Sequence, residues 1–273
     1  MSLIELENVS FRYSGTSRMI LEDVSFSIEE GEFVAVFGEG KSTLLMCLCG
    51  AIPHLLPGKF SGHVRVDGMD TETHKIAEIS RKVGVVLQDP ENQLFNLTVE
   101  GDVVFGMENL QVPPEDMEAR MVDALQTVRM SDFRRRMSHE LSGGQKQRAA
   151  IASVLAMESK ILVMDEPTRE LDPMGTEEVF EVLGRLKQQG KTIVIVENDP
   201  EHLAPLADKM VLLRDGHLEL VAEPREFYRR IKDDKRIRFP QVTQLYFQLE
   251  EKMGLGSKVP LTLEEGVELF SRV

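Results

Sequence analysis

Two neighbouring carboxylates follow a short apolar run near the middle of the chain. Asp165 and Glu166 come directly after Ile161 to Met164, and Pro167 ends the run. A four-residue apolar run is typical of a strand buried in a parallel sheet, so both acids should emerge together at its carboxyl end. Such a pair can serve a hard cation and an attacking water molecule.

A glycine turn precedes this strand and opens a predicted helix. Ser142 and Gln145 have the spacing of a capping box, in which each side chain bonds the backbone of the other residue. Gly143 and Gly144 leave the first backbone N–H groups of the helix uncovered. Because the amino end of a helix carries partial positive charge, this turn suits the close approach of a phosphate.

A second glycine-rich segment follows the apolar strand Phe33 to Phe37. It reads Gly38, Glu39, Gly40, Lys41, Ser42, Thr43 and leads into a helix, as a phosphate-binding loop does. In such a loop backbone N–H groups surround the β-phosphate, the lysine reaches the β- and γ-oxygens, and the serine hydroxyl binds Mg²⁺. The motif has four residues between its first glycine and the Gly-Lys pair. Here only Glu39 stands there, so the loop is three residues short.

Two explanations of the short loop remain open at this point. The loop is truly shorter, in which case it cannot surround a phosphate and nucleotide affinity should collapse. Alternatively, three residues of a mobile loop are missing from the sequence. The intact flanks on both sides, Phe33 to Phe37 and Lys41 to Thr43, favour the second explanation.

The elements around these residues alternate between strand and helix patterns. Apolar and polar residues alternate over 3–13 and 24–28, which predicts strands of a sheet with one solvent-exposed face. Thr192 to Val196 reads as a strand rich in β-branched residues. Helical spacing of apolar residues dominates 89–140 and recurs after Pro240. The pattern predicts an α/β sandwich with a mainly parallel sheet.

Composition limits the classes of function. The 273 residues are 42% hydrophobic, and no apolar run approaches the roughly 20 residues of a membrane helix. Glu5 and Glu7 stand where a signal peptide would be basic and then apolar, so we expect a cytoplasmic protein. A net charge of −14 disfavours general binding to nucleic acid or anionic lipid. Cys47 and Cys49 are expected to fill the core.

Three stretches together carry a resemblance to a known family. LSGGQ at 141–145, ILVMDE at 161–166 and LDP at 171–173 resemble the signature motif, Walker B strand and D-loop of the ABC transporter ATPases. QDPENQLF at 88–95 is similar to the Q-loop region of the energy-coupling factor (ECF, cobalt-type) subgroup. The resemblance covers the whole chain.

The resemblance implies a P-loop NTPase fold of ABC ATPase type, with an N-terminal antiparallel β subdomain, and a division of the chain. Residues 1–224 would form the ATP-binding domain, with an inserted helical subdomain at about 89–140, and 225–273 a C-terminal helical extension used in pairing. The function implied is binding and hydrolysis of ATP to power an ECF-type importer of a vitamin or transition-metal ion. Such a subunit lies at the cytoplasmic face of the membrane, held by integral membrane subunits, and pairs with an identical or paralogous ATPase subunit.

The resemblance also implies roles for single residues. Tyr13 would stack on adenine, the loop from Gly38 to Thr43 would hold phosphates, and Ser42, Gln88 and Asp165 would support Mg²⁺. Glu166 would polarise the attacking water, which Gln88 would help to position. Ser142, Gly143, Gly144 and Gln145 would cap the γ-phosphate of a nucleotide held by the opposite subunit. ATP would thus lie between two subunits.

The short phosphate loop and Asn198 are two departures from the family pattern at the catalytic centre, and Asn198 weakens the expectation of hydrolysis. Asn198 stands where the family has a histidine at the γ-phosphate, and an amide cannot carry positive charge. Arg169 and Glu170 replace small residues and are expected to alter the dimer contact. Two alternatives therefore stay open: a degenerate, weakly hydrolysing partner subunit with a structural or regulatory role, and a soluble ABC ATPase unrelated to transport.

One apolar pair near the Q-loop has two interpretations. Leu94 and Phe95 lie in a polar loop, where they could anchor a membrane partner. They could equally tuck beneath their own loop.

Overall fold

The computed structural model describes residues 2–253, 255 and 258–271, and these form two sheets with helices around them. The smaller sheet is antiparallel and has the strand order β2-β1-β4-β5. Its strands are β1 (Ser2–Tyr13), β2 (Leu21–Glu29), β4 (Gly58–Val66) and β5 (Met69–Asp70). The predicted N-terminal antiparallel part is therefore confirmed.

The larger sheet has six strands and the order β10-β9-β3-β8-β7-β6. Its strands are β3 (Phe33–Gly38), β6 (Val83–Val86), β7 (Ile161–Asp165), β8 (Thr192–Val196), β9 (Lys209–Arg214) and β10 (His217–Ala222). All neighbours run parallel except β10, which forms a hairpin with β9. The predicted mainly parallel sheet is thus present, and its parallel strands end along one edge.

Eleven α-helices lie in the described part of the chain. They are α1 (Lys41–Leu48), α2 (Ala51–His54), α3 (Ile76–Ile79), α4 (Val99–Asn109), α5 (Pro114–Thr127), α6 (Gly143–Leu155), α7 (Pro173–Gln188), α8 (Pro200–Leu206), α9 (Pro224–Arg230), α10 (Gln241–Met253) and α11 (Leu263–Phe270). Short 3₁₀ turns occupy Pro90–Asn92, Ser131–Phe133 and Ser138–Glu140. No helix within these described residues has the length and apolar character needed to cross a bilayer.

The parallel sheet is buried on both faces, which explains why its strands are continuous apolar runs. Along β3, Phe33, Ala35 and Phe37 belong to the apolar cluster on the side of the helices. Val34 and Val36 point the other way, into the cluster shared with the antiparallel sheet and α1. Because side chains alternate across a strand, a strand covered on both faces must be apolar at every position. This double cover fixes the edge where the strands end.

The helical segment 89–140 packs into the cluster on the helix side of the sheet. Val103 of α4 and Leu125 of α5 are buried there beside Ile151 of α6. Cys47 is buried in the core, as predicted, whereas Cys49 is half-buried against it, and both are free thiols. Burial raises the pKa of the Cys49 thiol, which keeps it protonated and unreactive.

The C-terminal residues pack back on the body of the protein. Thr262 caps α11, with its hydroxyl accepting the Glu265 backbone N–H at 3.3 Å. The basic stretch from Arg225 to Arg238 is only partly a solvated helix face. Helix α9 ends at Arg230, and Arg225 pairs with Glu265 of α11. Arg214 of β9 pairs with Asp234, so an ion pair joins the extension to the domain.

Candidate active site

The carboxyl ends of four parallel strands bring together the predicted phosphate, metal and water-binding residues. The register places Asp165 at the end of β7 opposite Val196 of β8, and Val196 opposite Val36 of β3. Val86 of β6 lies opposite Met164, so Gln88 leaves the sheet beside the acid pair. In open α/β sheets this edge is where ligands bind. Residues far apart in the chain meet here because their strands are parallel neighbours.

Asp165 lies against the start of helix α1. Burial raises the pKa of its carboxyl above the ordinary value, and a hydrogen bond from the Ser42 side chain opposes that shift. The repulsion of Glu166 raises the pKa further, while the charges of Lys41 and Arg169 lower it. A hydroxyl and a carboxylate in contact are both hard oxygen donors, so this pair fits Mg²⁺.

Glu166 is held by neighbours on both carboxylate oxygens. Asn198 Nδ2 donates to Oε1 at 3.0 Å, and Arg169 Nη1 donates to Oε2 at 3.0 Å. Its backbone has φ of 44°, in the left-handed region that is uncommon for a residue with a side chain. Such strain persists only where surrounding contacts enforce it, and it is often found at functional sites. Here the Glu166 N–H donates to Val196 O at 2.8 Å, which fixes the turn to the sheet.

A buried carboxylate fixes the segment that follows Glu166. Glu197 is buried, and its Oε2 accepts the Thr168 hydroxyl at 2.7 Å and the Thr168 backbone N–H at 3.1 Å. Its Oε1 accepts the Asn198 backbone N–H at 2.7 Å. Three donors on one buried acid make this a satisfied group rather than a reactive one. Glu197 therefore positions both Asn198 and the turn that carries Glu166.

Glu166 borders an open cavity of about 820 Å³. Its walls include Glu166, Thr168, Arg169, Asn198 and Arg238. A second cavity, of about 430 Å³, lies beside it along the strand ends and is lined by Gly38, Lys41, Asn198, Arg214 and Arg238 among others. Asn198 and Arg238 border both. The acid pair thus faces solvent-accessible space next to the phosphate loop.

The interpretation that residues are missing from the phosphate loop is wrong. The full sequence runs directly from Gly38 through Glu39 and Gly40 to Lys41, and the structure covers it without a break. The Glu39 backbone N–H donates to Leu213 O at 3.1 Å, which ties the short loop to strand β9. The loop is therefore truly three residues shorter than the motif requires.

Both glycines of the short loop have positive φ. The angle is 95° at Gly38 and 87° at Gly40, and a Cβ built on Gly38 would lie 1.7 Å from Leu213 O. Lys41 Nζ donates to Gly38 O at 3.0 Å, so the lysine folds over the loop. A chain this tight leaves fewer backbone N–H groups free to surround a phosphate than the full motif does.

Gly38→Ala is expected to lower the free energy of unfolding by about 3 kcal/mol more than Gly68→Ala. A left-handed backbone costs an L-residue roughly 1–2 kcal/mol at either site, but only at Gly38 would the methyl group overlap the backbone. Gly68 has φ of 78° with nothing within 4 Å of an added Cβ, so Gly68→Ala measures the cost of the left-handed backbone alone. Urea unfolding followed by circular dichroism measures both. Equal losses would contradict the tight packing of the loop.

Tyr13 lies at the phosphate loop, but its contacts are with the protein. Its hydroxyl is 3.2 Å from Thr43 Oγ1, and its ring meets Phe11 edge to face with centroids 4.9 Å apart. These contacts hold the ring at the end of β1, beside the start of α1. Stacking of the ring on adenine stays a prediction.

The glycine turn at the start of α6 has the predicted capping box. The Ser142 backbone N–H donates to Gln145 Oε1 at 3.0 Å, and the Ser142 hydroxyl accepts the Gln145 N–H at 3.3 Å. Ser142 and Gly143 are exposed, whereas Gly144 is buried where α6 crosses α7, with the Gly175 Cα 3.1 Å from an added Cβ. The helix start is open to solvent. Neither cavity described above includes any residue of this turn.

Three features of the structure go beyond the expectations from the sequence. Arg169 pairs with Glu166 of its own chain, and its expected effect on the dimer contact stays a prediction. Arg238 lies between α9 and α10 and borders both cavities. Of the apolar pair, Leu94 is buried in the core, and only Phe95 is exposed, at 63%. Leu94 is thus not available to a partner.

Comparison with known proteins identifies what the chain is similar to. A family model described as ABC transporter matches residues 21–169. A putative ABC transporter ATP-binding protein of Pyrococcus abyssi is 42% identical, covering 97% of this chain and 96% of that protein. The energy-coupling factor transporter ATP-binding protein EcfA1 of Caldanaerobacter subterraneus is 39% identical, covering 99% of each chain.

One solved structure resembles the fold of this chain over nearly the whole length of both chains. CbiO1 from Clostridium perfringens, described as part of the ABC transporter complex cbiONQ, superimposes with a TM-score of 0.77 and is 30% identical. The match covers 92% of this chain and 97% of that one.

Proposed function

The chain belongs to the ABC transporter family and is an ATPase of its energy-coupling factor group, and from that premise we propose that it powers an importer of a vitamin or transition-metal ion. It would do so at the cytoplasmic face of the membrane, held there by integral membrane subunits. The observation that carries the proposal is the position of Ser42 at the start of α1 and of Asp165 and Glu166 at the end of β7, along the edge where the parallel strands end.

The proposed reaction is hydrolysis of the γ-phosphate of ATP. Lys41 would contact the β- and γ-oxygens, and Ser42 and Asp165, with Gln88, would hold Mg²⁺, which neutralises phosphate charge when bound. Glu166 would accept a proton from water as the water oxygen bonds to the γ-phosphorus and the bond to the β–γ bridging oxygen breaks. The products are ADP and phosphate. The Asn198 amide, bonded to Glu166, would fix the direction of the carboxylate.

We propose that each complete site forms between two ATPase subunits, identical or paralogous. Ser142 and Gly143 at the start of α6 are exposed, and no residue from Ser142 to Gln145 borders either cavity of its own chain. This helix start would bind the γ-phosphate held by the other subunit, because a helix amino end favours negative charge. ATP between the subunits would hold them together, and hydrolysis would let them separate.

An exposed apolar surface near the Q-loop supports the proposed membrane contact. Phe95 packs edge to face on Phe105, with centroids 4.6 Å apart, and Leu97 and Met137 are exposed beside the same segment. We call these four residues the aromatic surface. Large apolar side chains in solvent mark interaction sites when they cluster. The aromatic surface would receive the membrane subunit.

A second exposed apolar surface supports pairing through the C-terminal extension. Leu245 of α10 and Leu263 and Val267 of α11 are exposed, and they line a shallow cavity of about 600 Å³. We call these three residues the C-terminal surface. It would contact the second ATPase subunit, since burying apolar side chains of this size against a partner removes them from water and lowers the free energy.

Two substitutions are expected to separate these contacts. Phe95→Asp should release the membrane subunits and keep the ATPase pair, while Val267→Asp should weaken the pair and keep membrane binding at least in part. Burying an unpaired charge would oppose each contact, by several kcal/mol if the site is fully desolvated. Affinity purification of the tagged subunit from membranes, followed by light scattering of the soluble fraction, measures both losses.

Each variant is the control for the other. Retention of membrane subunits by Phe95→Asp would overturn the transport part of the proposal. If light scattering gives the Val267→Asp variant the same molar mass as the wild-type pair, the pairing role of the extension is overturned.

A further inference from the structure

The cavity of about 430 Å³ beside the phosphate loop has a strongly basic wall. Its cations are Lys41 of α1, Arg214 of β9, and Arg236 and Arg238 of the segment between α9 and α10. Among the described residues of this wall Glu39 is the one acid, and its carboxylate is paired with Arg18. The whole chain carries a net charge of −14, so the cavity reverses the overall sign. A cleft lined by one sign of charge concentrates ions of the opposite sign, here anions.

Two of these arginines hold the segment between α9 and α10 in place. Arg214 pairs with Asp234 and, through Nε, with Glu219 at 2.7 Å. Asp234 Oδ1 also accepts the Arg236 backbone N–H at 2.9 Å and its Nε at 3.2 Å. The charges of Arg214 and Arg236 are therefore largely offset by carboxylates. Their contacts fasten the segment to the end of β9, beside the phosphate loop.

Arg238 is held at the cavity but has no such partner. Ile237 before it and Phe239 after it pack into the apolar cluster on the helix side of the sheet, whereas Arg238 itself is exposed. Within the described parts of the chain, no carboxylate lies at ion-pair distance from its guanidinium. The backbone on both sides is thus fixed by apolar packing, and the N–H donors of the guanidinium remain available to a ligand.

The ligand that suits this wall is a chain of phosphates. A guanidinium offers a planar fork that matches the oxygens of a phosphate, and it stays charged at every pH that a protein meets. Lys41 Nζ uses one donor on Gly38 O at 3.0 Å and keeps its others. The volume of the cavity lies within the range of small-molecule sites. Since the cavity begins at Gly38 and Lys41 of the phosphate loop, phosphate is favoured over a carboxylate.

We propose that Arg238 is a phosphate ligand of the bound nucleoside triphosphate, and that it replaces in part the backbone N–H groups that the short loop lacks. This inference rests on the proposed function, because it adds a contact to the same nucleotide. Arg238 borders both the cavity lined by Lys41 and the cavity lined by Glu166. The γ-phosphate of the proposed reaction lies between those two residues. A side chain of the C-terminal extension thus supplies part of what the loop backbone supplies in the full motif.

The test is isothermal titration calorimetry of the full chain with ATP and, separately, with inorganic tripolyphosphate, both without Mg²⁺ so that ATP is not hydrolysed. Arg238→Gln should weaken the binding of each about 10-fold, the usual effect of removing a charged hydrogen-bond donor. The two losses should be equal, because the contact is with phosphates and not with the nucleoside. Arg238→Lys should recover part of the affinity, since it keeps the charge and loses the planar fork.

Lys235→Gln is the matched control. It removes one positive charge from the same segment, and Lys235 is exposed and borders neither cavity. Its affinity for both ligands should stay within about 2-fold of the wild type, as for most surface substitutions away from a site. If Lys235→Gln weakens binding as much as Arg238→Gln does, net charge and not a contact is responsible, and the inference is wrong.

The remaining outcomes separate this inference from the function it rests on. If Arg238→Gln binds ATP as the wild type does, the inference fails, whether or not tripolyphosphate binding is weakened. The proposed function then stands as long as the wild type releases phosphate from ATP with Mg²⁺. If the wild type binds ATP through Arg238 but releases no phosphate, even with its transporter partners, the proposed hydrolysis fails and Arg238 remains a phosphate ligand.

Discussion

Insertion of Gly-Ser-Gly between Gly38 and Glu39 is expected to raise the affinity for ATP about 100-fold. The insertion restores four residues between the first glycine and the Gly-Lys pair. Two backbone N–H groups regained by a phosphate, at about 1.5 kcal/mol each, correspond to roughly that factor. The native loop cannot supply them, because it is tied to β9 through the Glu39 N–H and Leu213 O.

Equilibrium binding of a fluorescent ATP analogue, with unlabelled ATP as competitor, measures the effect. The matched control inserts the same tripeptide after Gly68, in an exposed turn where an added Cβ meets nothing within 4 Å. That variant should bind ATP as the wild type does. Equal affinities of the wild type and the loop variant would show that the short loop holds phosphate by other contacts.

Glu166→Gln is expected to lower kcat by about 100- to 10,000-fold at saturating ATP, the range for loss of a general base. The amide has the shape of the carboxylate and can still accept from Asn198, but it cannot take a proton from water. Binding of ATP should persist, because Glu166 would contact the water rather than the phosphates. The ATP-bound pair of subunits should therefore accumulate.

Phosphate release and light scattering with ATP and Mg²⁺ measure the two expected results. Glu108→Gln changes an exposed acid of α4 and serves as the control, with wild-type kcat expected. If Glu166→Gln is inactive but stays a single subunit under saturating ATP, the site between two subunits is contradicted. Glu166 would still keep its role in hydrolysis. Activity at the wild-type level would remove Glu166 from the mechanism.

The sequence by itself determined the elements and the chemistry available to them. Apolar runs at Ile161 to Met164 and Thr192 to Val196 predicted strands covered on both faces, and the sheet has them at β7 and β8. The Ser142 and Gln145 pair predicted a helix start, and both bonds of the capping box are present. These features depend on neighbours within a few residues, which is why local pattern and spacing suffice to predict them.

Only the tertiary structure decided how those residues are used. Glu166 meets Asn198 because β7 and β8 are parallel neighbours, and the 31 residues between Glu166 and Asn198 contain no signal of that contact. Local composition could not distinguish buried Leu94 from exposed Phe95, since Leu94 is buried in an apolar cluster whose other members come from α4, α5, α6 and more distant elements. Side-chain partners across a fold follow from strand order and packing, and sequence spacing does not encode the resulting distances.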